Sequence, residues 1–219
     1  MKLNVKEPYL SLFSSLLSTL GENSFMVGGF VRDTLLQRET NDMDFATDVS
    51  LSTLTSLFPH SLVFAKFGTL SFRKDGVDIT IAHFRKEGDY QDHRHPLKVE
   101  FISSYQEDSI RRDFTINALY VSKDFEIHDP TGYGLADCES RILRFIGEPE
   151  KRIQEDPLRI IRALRFQEEL SLTMEENTRK AIDSSFPLLK LLSLEKVKME
   201  LEKCPSVVQQ KVRETLNMV

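Results

Sequence analysis

The sequence predicts an α+β fold in which a strand-rich part with flanking helices comes first and an all-helical part follows. Three observations lead there. Short β-branched and aromatic runs separated by turn residues recur between residues 25 and 102, apolar residues recur at helical spacing after Pro149, and the change of character falls near residue 146. The expected domains are therefore 1–145 and 146–219.

Each element has its own signal. Leu10 to Leu20 carries helical apolar spacing and ends at Gly21. Phe25 to Val27 reads as a strand entering a turn at Gly28 and Gly29, and Val31 to Leu36 as a short helix leaving it. "MDFAT" (43–47) reads as a buried strand, and Leu51 to Phe58 as a helix capped by Ser50 and stopped before Pro59. "SLVFAKF", "TLSFRK" and "VDITIAHF" are β-rich runs, with "KDG" (74–76) as a hairpin turn. Residues 86–98 are polar, contain Gly88 and Pro96, and read as a mobile loop before a strand at Val99 to Ile102. "EPEKRIQEDPLRIIRALRFQEEL" (148–170) reads as one helix laced with charge pairs, and helical patterns follow at 175–184, 194–203 and 206–217.

With 40% hydrophobic and 29% charged residues among 219, the chain can bury a core and is not a disordered polymer. It has no apolar run of about 18 residues and its N-terminus lacks a signal-peptide core, so the expectation is a cytoplasmic protein with no membrane partner. Cys138 and Cys204 lie far apart and suit buried, reduced thiols. None of the five histidines falls in an HExxH or paired CxxC context, which argues against a dedicated zinc site. The net charge of −5 argues against a protein that coats nucleic acid, yet seven basic residues fall between Arg141 and Arg165, with Arg111 and Arg112 as a further pair. Such a local stripe suits one phosphorylated ligand or one strand; the plainer alternative is a solvated helix face with ion pairs.

Two features of residues 27–48 stabilise no core. Asp42 and Asp44, two apart on a strand, project to one face and repel. Carboxylates so placed can hold hard divalent ions, and Mg2+ completes its shell with water and phosphate oxygens. Two such ions can activate a hydroxyl and stabilise a departing pyrophosphate. Gly28 and Gly29, just before a helix, would let backbone N–H groups approach a phosphate, and Arg32 would add a charge-assisted contact. A Gly-Gly alone is usually a turn and a D-x-D alone is often a surface pair, but the two on adjoining elements point to phosphate plus metal. No P-loop or dinucleotide fingerprint occurs.

"GGFVRDTLLQRETNDMDFAT" (28–47) resembles the first motif of the class II tRNA nucleotidyltransferases, the CCA-adding enzymes and their bacterial poly(A) polymerase relatives. Gln37 departs from it, standing where glycine is usual. "RRDFTINAL" (111–119) resembles the second motif, residues 129–166 resemble the segment running into the EDxxR motif and its arginine helix, and "LEKVKMELEKC" (194–204) is similar to the neck element. The resemblance covers about residues 24–204 and implies a nucleotidyltransferase-type head with a small mixed sheet and flanking helices, followed by a helical neck.

It also implies roles. Asp156 and Arg159, three apart on a helix, would read the base. An ionised aspartate only accepts and an arginine only donates, so together they complement the amine and bare ring nitrogen of cytosine or adenine and reject uracil and guanine. The plain alternative for that spacing is a surface salt bridge. Arg162, Arg165 and Arg112 would meet triphosphate, and Asp113 would orient neighbouring groups or the ribose. Asp78 stands where relatives often carry glutamate, as a third acidic group near the metals or as a strand residue facing solvent. The implied reaction is attack of a tRNA 3′-hydroxyl on the α-phosphorus of CTP or ATP, with a two-ion Mg2+ site at Asp42 and Asp44 and Arg112 as a third catalytic group.

"FRKEGDYQDHRHPLKVEF" (84–101) resembles the loop that A-addition requires, and "SLVFAKFGTLSF" lacks the basic stretch of the poly(A) polymerase branch, which favours tRNA. Poly(A) polymerase, transfer to a small molecule and a non-catalytic CTP- or ATP-binding module are the alternative readings. The chain stops just after the neck element. The expectations for that are a minimal enzyme, a homodimer or partner chain that supplies RNA-binding surface, half of a split system, or a fragment.

Overall fold

The computed structural model describes residues 1–88 and 97–217. These divide into two compact units, one of Met1–Glu87 with Val99–Glu139, the other of Gly88–Lys98 with Ser140–Val219.

The first unit begins with α1 (Tyr9–Leu20), whose buried stripe is Leu12, Phe13, Leu16, Leu17 and Leu20. It continues through β1 (Ser24–Val27), α2 (Gly29–Leu35), β2 (Asp42–Thr47) and α3 (Leu51–Leu57), which Ser50 caps by accepting from the Thr53 amide. Then come β3 (Leu62–Phe64), β4 (Thr69–Lys74), β5 (Val77–His83), β6 (Arg85–Glu87), β7 (Val99–Phe101), α4 (Tyr105–Ile110), β8 (Tyr120–Val121), β9 (Ile127–His128) and α5 (Gly134–Ser140). The main sheet has the order β3-β4-β5-β2-β1-β8-β9. Only β2 and β5 run parallel; the other pairs are antiparallel, so the sheet is mixed. β6 and β7 form a separate antiparallel ribbon. The run "SLVFAKF" is strand only at Leu62–Phe64, because Ala65–Phe67 tighten into a 3-10 turn ending at Gly68 with φ 59°. The expected loop at 86–98 keeps β6 at one end; residues 89–96 lie outside the described residues.

Strand alternation makes the two faces of the main sheet unlike. One face is apolar: Met26 opposes Phe45 and Val121, and Met43 and Phe45 oppose Ile79 and Ile81. All are buried. The other face holds an apolar patch of Phe25, Val27, Ala46, Phe84 and Tyr120. Further along the same face the rows turn polar, with Asp44 beside Thr80 and Ser71, then Asp42 beside Asp78 and Arg73.

The second unit comprises β10 (Ile142–Leu143), α6 (Pro149–Glu155), α7 (Leu158–Leu170), β11 (Thr173–Met174), α8 (Glu176–Ser185), α9 (Leu194–Leu201) and α10 (Ser206–Leu216). A short parallel pairing of β10 with β11 is an addition to the otherwise helical plan. The single helix expected over 148–170 is in fact two. Pro157 lacks the N–H that a continuing helix needs, and it forces the preceding residue out of the helical region. Asp156 accordingly adopts φ −147°, ψ 98° and ends α6.

Both cysteines are free and buried, as the sequence suggests. No helix among the described residues is long and apolar enough to cross a membrane. The Gln37 departure also finds its backbone setting: φ is 59°, in the left-handed region where glycine is unstrained and other residues are not. Gln37→Gly is therefore expected to stabilise the protein by about 1 kcal/mol, read as a higher urea midpoint at unchanged slope.

Candidate active site

β2 and the turn before α2 build the carboxylate end of the site. Gly28 has φ 82°, and a Cβ there would come within 3.0 Å of Asp44 Oδ2. Two requirements thus fall on one residue, a left-handed backbone and an open space beside a carboxylate. Burial and the neighbouring Asp42 push the Asp44 carboxyl up to about 6, against the pull of Arg112 and Arg32. Burial and the Asp78 charge raise Asp42 above the usual carboxylate range. Asp78 is the register partner of Asp42, yet it is largely exposed and lies 3.6 Å from the Arg73 guanidinium. It is thus both near the pair and turned to solvent.

Arg32 is buried on α2 and held on three sides. Its Nε and Nη2 donate to the two oxygens of Asp33, at 2.9 and 2.8 Å, and its Nη1 donates to Asn117 Oδ1 at 2.7 Å. Asn117 in turn donates to Asp113 Oδ1, which also accepts from the Phe114 amide. Asp113 thus orients Arg32 through one intermediary. Arg112 is fixed separately, donating from Nε to the Tyr120 hydroxyl at 2.9 Å and from Nη2 to Asp108 Oδ2 at 3.2 Å. Tyr120 itself donates to the same Asp108 oxygen at 2.7 Å. Gly28, Gly29, Arg32, Asp42, Asp44, Arg112 and Asp113 all belong to this first unit.

Asp156, Arg159, Arg162 and Arg165 belong to the second. Asp156 and Arg159 do not share one helix face as expected, because the break at Pro157 separates them. Asp156 Oδ1 accepts from the Leu158 amide at 3.1 Å and so caps the start of α7. Arg159 is buried, and its Nη1 donates to the Arg152 carbonyl at 2.7 Å and to Glu155 Oε2 at 2.6 Å. Its other donors have no protein partner among the described residues. Arg162 and Arg165 reach across to α9, where each lies 3.9 Å from Oε1 of the buried Glu200.

Residues 24–144 match the poly A polymerase head domain. The chain belongs to that family. It is 40% identical over 188 residues to the CCA-adding enzyme of Geobacillus thermodenitrificans, an alignment covering 85% of this chain and 46% of the relative. It is similar to the crystal structure of Bacillus stearothermophilus CCA-adding enzyme in complex with CTP, with a TM-score of 0.79, 36% identity, and coverage of 91% of this chain and 49% of that one. The Thermotoga maritima CCA-adding enzyme complexed with tRNA_CCA aligns with a TM-score of 0.75 and 26% identity, covering 98% and 52%. The chain spans about half the length of the relatives it matches.

For this family member the residues present suit a divalent cation. Both donors at Asp42 and Asp44 are hard oxygens whose ionisation burial and like charge oppose, and Gly28 keeps space open beside one of them. No cluster of three or more metal-ligating side chains gathers among the described residues. The pair therefore suits an ion that takes its remaining ligands from water and phosphate. Sequence reading missed Asn117, Asp108, Tyr120, Glu155 and Glu200, which hold the arginines. The first three lie in or beside the second motif, where a buried polar side chain next to an arginine pair was the available signal.

Asp108 also carries a pH signature. Burial acts to raise its carboxyl, but Arg112, Arg111, the Tyr120 hydroxyl and the Arg85 amide outweigh it and hold the value at about 2. The Arg85 guanidinium adds to the same positive surroundings. A depressed carboxyl stabilises the fold above its unfolded value and loses that contribution, about 2 kcal/mol, as pH falls through the folded value. Asp108→Asn should therefore be less stable than wild type at neutral pH. In urea titrations the gap should narrow between about pH 4 and about pH 2.

Proposed function

We propose that the chain catalyses template-independent transfer of CMP or AMP from CTP or ATP to the 3′ end of tRNA, releasing pyrophosphate. The observation that carries this reading is the pairing of Asp42, at the exposed end of its strand, and the partly buried Asp44 with two arginines whose charges reach Asp44. The relatives' names, and the CTP and tRNA partners of the two solved structures above, support the substrate class.

The first unit acts as a catalytic head and the second as a base-reading neck. In the head, Asp42 and Asp44 would hold Mg2+, which when bound would lower the pKa of the attacking hydroxyl and neutralise charge on the leaving pyrophosphate. Arg112 and Arg32 are pre-oriented cations for triphosphate oxygens, so little reorganisation is needed as charge develops. Gly28 keeps the approach to Asp44 clear, and Gly29 opens the helix that carries Arg32. In the neck, Asp156 accepts from the exocyclic amine of cytosine or adenine while Arg159 donates to the ring nitrogen. Glu155 braces Arg159 for that contact. Arg162 and Arg165 serve phosphate oxygens. The intact DxD pair argues for catalysis over a retired, purely binding module, because repelling carboxylates serve binding of a nucleotide poorly without a cation. A cytoplasmic setting fits the free, buried thiols.

The direct test incubates purified protein with Mg2+, labelled CTP or ATP, and tRNAs ending before, within and after CCA. Label added to the first two substrates and not to the completed end is the expected result. Nucleotide binding with no label on any RNA would overturn transfer, and long oligo(A) tails would reassign the chain to polymerase activity. Asp42→Ala and Asp44→Ala should each abolish incorporation while CTP still binds, and each should lose the thermal stabilisation that Mg2+ or Mn2+ gives wild type. Near-normal turnover in either variant sinks the metal assignment.

A further inference from the structure

Asp108 is wholly buried, and its two oxygens serve different parts of the head. Oδ2 accepts from Tyr120 OH at 2.7 Å and from Arg112 Nη2 at 3.2 Å. Since Arg112 Nε also donates to that hydroxyl, the three side chains close a ring, and the Arg112 guanidinium lies over the Tyr120 aromatic face at 5.1 Å. A guanidinium anchored through two nitrogens and a ring face has little freedom to rotate. Oδ1 faces the ribbon instead. It accepts from the Arg85 backbone amide at 3.0 Å and from Arg111 Nε at 2.8 Å. Arg85 further donates to Glu87 Oε1 at 2.9 Å and to the Phe67 carbonyl at 3.1 Å, while Arg111 lies 3.8 Å from the same Glu87 oxygen. Lys86 pairs with Glu107, a second tie between β6 and α4. The carboxylate is thus one rigid plane, with the arginine beside Asp44 on one oxygen and the base of the β6–β7 ribbon on the other.

We propose that Asp108 is a positioning residue that sets the direction of Arg112 and couples it to the β6–β7 ribbon. A shift of Arg85 or Glu87 tilts the carboxylate, and the tilt is delivered to Arg112 through Oδ2. The inference rests on the transferase reading for its kinetic consequence and on geometry alone for the coupling.

Two measurements test it. In the first, Tyr120→Phe keeps the ring and removes the hydroxyl that joins Asp108 to Arg112. The expected result is a fall in kcat of about tenfold with CTP affinity changed less than about threefold. Unchanged kcat, or an equal loss of kcat and affinity, overturns positioning. In the second, the Arg112 Nε–H resonance is followed by nitrogen-15 NMR in wild type, Tyr120→Phe and Glu87→Gln, with hydrogen exchange at that proton. Tyr120→Phe should lose protection, and Glu87→Gln, which alters the contacts of Glu87 with Arg85 and Arg111, should move the resonance. An unmoved Arg112 signal in Glu87→Gln, with the fold intact by amide spectrum, overturns the coupling. A wild type that transfers nothing refutes the transferase reading and leaves the NMR result to decide the coupling.

Discussion

Like charge on a half-buried strand is the constraint to which the rest of the head answers. Asp42 and Asp44 cannot both ionise comfortably where they stand, and Asp78 in the adjoining strand adds to the repulsion on Asp42. Everything close by offsets that repulsion or leaves room for what will. Gly28 yields its side-chain volume beside Asp44, while Arg32 and Arg112 lend positive charge from separate elements. Neither arginine is left to find its own direction: Asp33, Asn117 and Asp113 settle one, and Asp108 with Tyr120 settles the other. A strand built only for stability would not carry this arrangement, since like charges set side by side oppose each other's ionisation.

Arg162 and Arg165 are restrained differently from Arg32, Arg112 and Arg159. Arg32 and Arg112 are held through hydrogen bonds of 2.7 to 3.2 Å that fix angle as well as distance. Arg162 and Arg165 approach Glu200 at 3.9 Å, beyond hydrogen-bond range, and Glu200 Oε1 accepts no hydrogen bond among the described residues. Their shared counter-charge fixes a neighbourhood without fixing a direction.

Local chemistry was legible in the sequence, and partnerships distant along the chain were not. The Gly-Gly turn, the two aspartates on one strand face and the "KDG" hairpin each rest on a few consecutive residues, and strand or helix periodicity reveals them. Asn117 and Arg32 are 85 positions apart, and no periodicity links them. The parallel pairing that sets Asp78 beside Asp42 is likewise a tertiary fact. One miss was avoidable. Asp156 precedes a proline, and that alone bars it from the middle of a helix. The charge and apolar pattern on both sides simply ran through the break. Gln37 is the reverse case, where a substitution seen as an oddity in the motif marks a left-handed backbone position.

The sheet order also bears on how the head assembles. β3, β4 and β5 form a meander of neighbours in sequence, and β1 reaches β2 through one short helix, so these two groups can each form from local contacts, whereas β8 pairs with β1 from far along the chain. Joining them requires the one parallel seam, β2 against β5, and that seam brings Asp42 alongside Asp78. The seam that joins these two groups is thus the one that brings like charges together. Acid favours closure of the seam, because burial and the Asp78 charge raise the Asp42 carboxyl there, which makes the ionic medium a participant in folding.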